Sequence, residues 1–138
     1  GKKEIPQEIL DKPRPLLLQK ERMILETHPS RGREILMELT AIPEDVIEIA
    51  YQHHEDNLGT GYPRGLTKNK IHPLAKIVYV TNRFVDLILS NGQRKAVPPE
   101  NAIQVLKGDL DRMDPQAFEA LKSIVISSSK STPLLETT

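Results

Sequence analysis

His53-His54-Glu55-Asp56-Asn57-Leu58-Gly59-Thr60-Gly61-Tyr62-Pro63 is the stretch on which the reading of this chain turns, because two adjacent imidazoles run straight into a loop of glycines closed by a Tyr-Pro pair. Imidazole nitrogens are preferred ligands for iron, zinc, manganese or nickel. Glycines let the backbone approach a ligand closely, and proline stiffens the turn. The stretch reads as a pocket for a metal and a phosphate, set at the end of a helix.

The residues before it supply that helix. Pro43-Glu44-Asp45 places proline at a first-turn position and acids at the positive end of the dipole, after which Val46, Ile49, Ala50 and His53 share one face. Residues 56–70 read as loop. Pro73 opens a helix carrying Ile77, Val80, Phe84 and Ile88, apolar enough to be the buried centre, with Asn91-Gly92 as its stop. Pro98-Pro99-Glu100 opens a helix to Leu106 with Gly108 beyond it, and Asp114-Pro115 caps a last one to about Ile126. Upstream, residues 6–10 make a short turn of helix closed by Lys12-Pro13-Arg14-Pro15. Residues 17–39 hold apolar positions at helical spacing, interrupted at Pro29 and Gly32, so they predict two helices or one kinked helix. Only residues 77–81 could pass for a strand, and their helical setting argues against it. The expected class is all-α, with five to seven helices in residues 1–126 and a flexible tail over residues 127–138, rich in serine and threonine.

Composition narrows the function. One domain is the default for 138 residues. Lysine plus arginine equal aspartate plus glutamate at 19 each, so no global field recruits DNA, RNA or an anionic membrane, and phosphate binding must be local. The absence of cysteine excludes disulfides, thiolate ligands and a cysteine nucleophile, and fits a cytoplasmic protein. No apolar run approaches the ~20 residues of a membrane span, and no segment reads as a signal peptide. The start at Gly1 rather than methionine reads as a processed product, an excised piece or a fragment.

Taken singly, the histidines are ambiguous. Neighbours on a helix point about 100° apart, so His53 and His54 do not aim at one ion as readily as residues four apart. A partly exposed pair near a helix end is the plain reading, and Glu55 with the glycine loop favours a site instead. His28, just before a proline, is a structural histidine or a ligand by itself. His72, before Pro73, reads as a surface residue at a helix start.

Across residues 1–126 the pattern resembles the HD-GYP family, bacterial metal-dependent phosphodiesterases of the HD phosphohydrolase superfamily acting on cyclic di-GMP. The resemblance rests on Gly1-Lys2, Ile5-Pro6, Ile9-Leu10 with Lys12-Pro13, Glu21, His28-Pro29 with Gly32, His53-His54-Glu55, Gly59, Gly61-Tyr62-Pro63-Arg64-Gly65-Leu66 and Ile71. It implies an HD-domain-like helical bundle in which His28, His53, His54 and Asn82 stand at metal-ligand positions. It also implies a catalytic and phosphate-contacting role for Lys2, and substrate binding by Gly61, Tyr62, Pro63, Arg64, Arg94 and Lys95. The implied cofactor is a pair of divalent transition metals, iron or manganese, with occupancy expected to be partial or absent in this chain. The implied partners are a cyclic dinucleotide, diguanylate cyclase domains, fused receiver or sensor domains and a second copy in a homodimer, all in the bacterial cytoplasm.

The chain also departs from that pattern. The family's His-Asp dyad would lie just before Gly1. Asn82 stands where the family has a metal-binding aspartate, and an amide brings no negative charge. Leu58 replaces an aspartate before the first loop glycine, removing an acceptor that could order the loop. Residues 91–95 keep only the basic pair of the family's arginine-proline-tyrosine-arginine stretch. Three expectations follow: a truncated or degenerate hydrolase domain that is inactive by itself, a non-catalytic nucleotide-sensing or docking module, or a helical scaffold with no ligand.

Overall fold

In the computed structural model residues 1–90 and 95–131 are described, the last three by backbone alone. The described residues form seven α-helices and no strand, as expected for an all-α chain. In order they are a 3₁₀ turn at Lys2–Glu4, α1 (Gln7–Asp11), a second at Arg14–Leu16, α2 (Gln19–Glu26), α3 (His28–Met37), α4 (Glu44–Gln52), a third at Lys68–Lys70, α5 (Pro73–Ile88), α6 (Pro99–Lys107), a fourth at Leu110–Arg112 and α7 (Pro115–Ser131). Among them no helix is long and apolar enough to cross a membrane.

The core has two larger centres and a third, small cluster of Leu66, Ile71 and Ala75. Tyr79, Val80 and Phe84 of α5 pack with Ala102, Ile103 and Leu106 of α6 and with Met113, Phe118 and Val125. Burying a side chain such as Phe118 or Leu106 is worth roughly 1.5–3 kcal/mol, so this cluster anchors the C-terminal half. A smaller cluster of Ile5, Ile9, Leu17 and Leu25 seats the N-terminal turns on α2. Glu21 fastens that corner, accepting from the Leu18 N–H at 2.8 Å and from Lys12 at 2.5 Å. Between the two centres α3 packs on α4, and α4 on α5.

Several boundaries differ from the sequence reading. The break between α2 and α3 falls at Thr27, and Pro29 lies in the first turn of α3, where no intrahelical N–H is lost. Gly32 lies inside α3, beside the chain start. A Cβ on Gly1 would meet the His28 carbonyl oxygen at 2.1 Å and the Gly32 nitrogen at 3.2 Å, so Gly1 rests against this turn. The α5 helix stops at Ile88, with Leu89 extended, before the Asn91-Gly92 stop, which lies outside the described residues. The last helix runs to Ser131, so residues 127–131, expected in the tail, are helical; residues 132–138 lie outside the described residues. His72, expected at the surface near a helix start, is half-buried and is the N-cap of α5, with Nδ1 accepting from the Leu74 N–H at 3.3 Å.

Candidate metal centre

Three histidines from two packed helices meet at one point. His28 is the first residue of α3, His53 is the C-cap of α4, and His54 follows it into the loop. His28 and His54 are buried and His53 half-buried. The ring nitrogens they could offer to one metal ion lie within 4.8 Å of one another. His28 Nε2 is 3.2 Å from His53 Nε2 and 3.1 Å from His54 Nε2.

Proton positions follow from the partners. His28 Nδ1 lies 2.6 Å from the Leu25 carbonyl oxygen, and His53 Nδ1 lies 2.8 Å from that of Ala50. A carbonyl only accepts, so each Nδ1 carries the ring proton and each Nε2 presents a lone pair. Two facing lone pairs cannot hydrogen-bond, whereas a cation satisfies both. Ligand nitrogens around one metal with bonds of about 2.1 Å stand roughly 3.0–3.4 Å apart, the separation seen here. Burial, the largest cause, pushes all three histidines towards the neutral form that a metal requires. His28 falls to about 4, with Lys2, His53 and Arg14 adding to the effect of burial and the Leu25 carbonyl opposing it. The donor set therefore fits a divalent transition metal.

Carboxylates beside the histidines organise the loop. Glu55 is 1% exposed and accepts the Arg64 and Leu66 N–H groups at 2.7 and 2.6 Å, which commits both oxygens. Asp56 accepts the Leu58 and Thr60 N–H groups at 3.0 and 2.9 Å, the Thr60 hydroxyl at 2.6 Å and Arg112 at 3.0 Å. The acceptor expected to be missing at Leu58 is thus supplied two residues earlier, and the loop is ordered. Gly61 is required by contact: a Cβ there would meet the His54 carbonyl oxygen at 2.3 Å and the Asp56 nitrogen at 2.7 Å. The next residue donates its N–H to His54, and the Tyr62 ring stacks on the His54 ring with centroids 4.6 Å apart.

The remaining candidates divide. A cleft of about 410 Å³ is lined by Lys2, His28, His53 and Asn82, and Asn82 also lines a second cleft of about 180 Å³ that reaches His54, Gly61 and Tyr62. Asn82 thus stands between the two sides of the histidine cluster. Pro63 follows Tyr62 through a cis peptide bond. Arg64 is exposed, engages Glu55 through its backbone and lines neither cleft; Lys95 is exposed and lines neither. Arg94 lies outside the described residues. Sequence reasoning passed over Arg14, whose Nη1 reaches the Tyr62 hydroxyl at 3.5 Å, as well as Asp56 and Arg112. Asp56 was legible in principle as a turn-forming aspartate next to the His-His-Glu motif. Arg112, far off in sequence, left no local signal.

The pattern of the HD domain family matches residues 1–117. The chain is 32% identical over 123 residues to the 3'3'-cGAMP-specific phosphodiesterase 3 of Vibrio cholerae serotype O1, an alignment covering 88% of this chain and 26% of that protein. It is 36% identical over 124 residues to a cyclic di-GMP phosphodiesterase of Thermotoga maritima, covering 87% of this chain and 33% of that protein. The solved structure of an HDG"Y"P protein from Bdellovibrio bacteriovorus superposes with a TM-score of 0.71 at 28% identity, covering 84% of this chain and 37% of that one. The chain therefore spans about a quarter to a third of the length of these curated relatives.

Proposed function

Because this chain belongs to the HD-GYP branch of the HD domain family, we propose that it is a metal-binding phosphohydrolase domain for a guanine-containing cyclic dinucleotide, with a weakened catalytic centre. The observation that carries the reading is the convergence of the His28, His53 and His54 Nε2 atoms, with the lone pairs of His28 and His53 facing one another. One divalent iron or manganese ion bound there would polarise a phosphoryl oxygen and lower the pKa of water from 15.7 towards ~7. His28 and His53 are pre-oriented for such an ion by the Leu25 and Ala50 carbonyls. Lys2 lines a cleft with His28 and His53 and would neutralise a phosphate there, while Gly61 and Tyr62 line the second cleft, which reaches His54.

Asn82 limits the chemistry. It lines both clefts beside the histidines, by the resemblance in place of an anionic ligand, and among the described residues no carboxylate joins the three histidines. The domain accordingly binds one ion firmly, takes up the dinucleotide through Lys2, and turns it over slowly or not at all. A purely sensory module, docking diguanylate cyclase domains, attached sensor domains or a second copy in the bacterial cytoplasm, is the second reading, and Asn82 is the observation in its favour.

The test is incubation with cyclic di-GMP or 3'3'-cGAMP and manganese or ferrous iron under reducing conditions, with chromatography for linear dinucleotide. We expect metal binding without appreciable product. Metal-dependent turnover that vanishes in His53→Ala overturns the weakened reading, and failure to retain any metal overturns the site.

A further inference from the structure

The loop that carries His54 is held from outside by a residue far along the chain. Arg112 closes the 3₁₀ turn between α6 and α7. Its Nη1 donates to Asp56 Oδ2 at 3.0 Å and also to the Thr60 hydroxyl. The Arg112 carbonyl accepts the Asn57 N–H at 3.0 Å, and Asn57 Nδ2 donates to the Met113 carbonyl at 2.5 Å. The Asp56 side chain is only 4% exposed, so its charge depends on partners within the protein, and among the described residues Arg112 is the cationic one.

His54 depends on this loop more than its companions do. His28 and His53 are each oriented by a carbonyl on the preceding turn, whereas His54 Nδ1 has no hydrogen bond among the described residues. Its ring is instead oriented by its backbone, by the stacked Tyr62 and by Gly61 pressed against residues 54–56. All of these belong to the segment that Asp56 and Thr60 secure.

We propose that Arg112 is a positioning residue for the histidine site, acting through Asp56 and Thr60 to keep residues 54–62 in the register that brings His54 Nε2 to His28. This rests on the metal reading of the three histidines. It makes the turn between α6 and α7 part of the site's supporting structure, although no atom of Arg112 touches the ligand nitrogens.

The experiment compares wild type, Arg112→Ala, Arg112→Lys and Thr60→Val, each shown to be folded by circular dichroism. One readout is cobalt(II) affinity and its visible absorption; the other is the histidine ring NMR spectrum of the metal-free protein. Arg112→Ala is expected to weaken cobalt binding about 10-fold, change the absorption band and shift the His54 ring signals. One nitrogen makes both side-chain contacts, so Arg112→Lys should restore part of the affinity, and Thr60→Val should fall between. Unmoved His54 signals with cobalt affinity within twofold of wild type, or no recovery in Arg112→Lys, overturn the proposal. If Arg112→Ala does not fold, Thr60→Val decides on the same readouts. A wild type that binds no cobalt instead overturns the metal reading, while the metal-free spectra still judge the positioning role.

Discussion

The Tyr62 ring lies on the His54 ring, centroids 4.6 Å apart and planes 20° from parallel, so the tyrosine of the glycine loop fixes the plane of an imidazole of the candidate metal centre. Truncating it removes the one ring that orients His54 face to face. Tyr62→Ala is expected to weaken divalent metal binding about 10-fold, the range in which outer partners of ligands act. Tyr62→Phe keeps the stack and loses only the 3.5 Å contact with Arg14, so it should stay within about twofold of wild type. Calorimetric titration with manganese distinguishes the two. Equal losses in both variants would show that the hydroxyl, not the ring, carries the effect.

Gly61 faces backbone that cannot yield as a flexible side chain can. Gly61→Ala places a methyl group 2.3 Å from the His54 carbonyl oxygen and 2.6 Å from Glu55 Cα. Overpacking of this kind costs about 1–3 kcal/mol, and the shift it forces passes directly to His54. Urea unfolding should show that loss together with weakened metal binding. Unchanged stability would mean that the loop has room the contacts do not indicate.

The metal-free protein should lose stability as pH falls from about 6.5 towards 4. His28 ordinarily titrates at 6.5 and is held near 4 in the fold, chiefly by burial. Above pH 6.5 both folded and unfolded chains carry it neutral. Between the two values the unfolded chain takes up a proton that the folded chain refuses, so the equilibrium shifts towards unfolding, and below about 4 this contribution levels off. The size is on the order of 3 kcal/mol for His28, with His53 and His54 acting in the same direction. Denaturant melts at pH 7.5, 6 and 5 check the slope. The same slope in His28→Gln would assign it to other groups.

Asn82→Asp adds an anionic oxygen where the two clefts meet. Affinity for manganese is expected to rise by about 10-fold at pH 7, with a second equivalent appearing in the titration. An isotherm identical to that of wild type would show that residue 82 does not reach the ion.

Much of the helical scaffold was legible from local signals. The spacing of Ile77, Val80, Phe84 and Ile88, the prolines at helix starts and the glycine loop after His54 all act within a turn or two of chain, and each element formed close to where its own residues placed it. The exceptions have physical causes. Pro29 fits a first helical turn as readily as it breaks an interior one, and α7 continues to Ser131 past the serine-rich composition that read as tail. The order of residues specified which donors were available, three imidazoles, a glycine-rich loop and an amide at Asn82, whereas burial in the fold pushes those imidazoles towards the neutral form. Tertiary structure alone decided that His28, 25 residues before His53, turns its Nε2 to within 3.2 Å of that histidine's. It alone decided that Asp56, paired with Arg112, secures the loop. Both relationships need α3 packed on α4 and the α6–α7 turn brought to the loop, contacts between distant segments that leave no pattern in neighbouring residues.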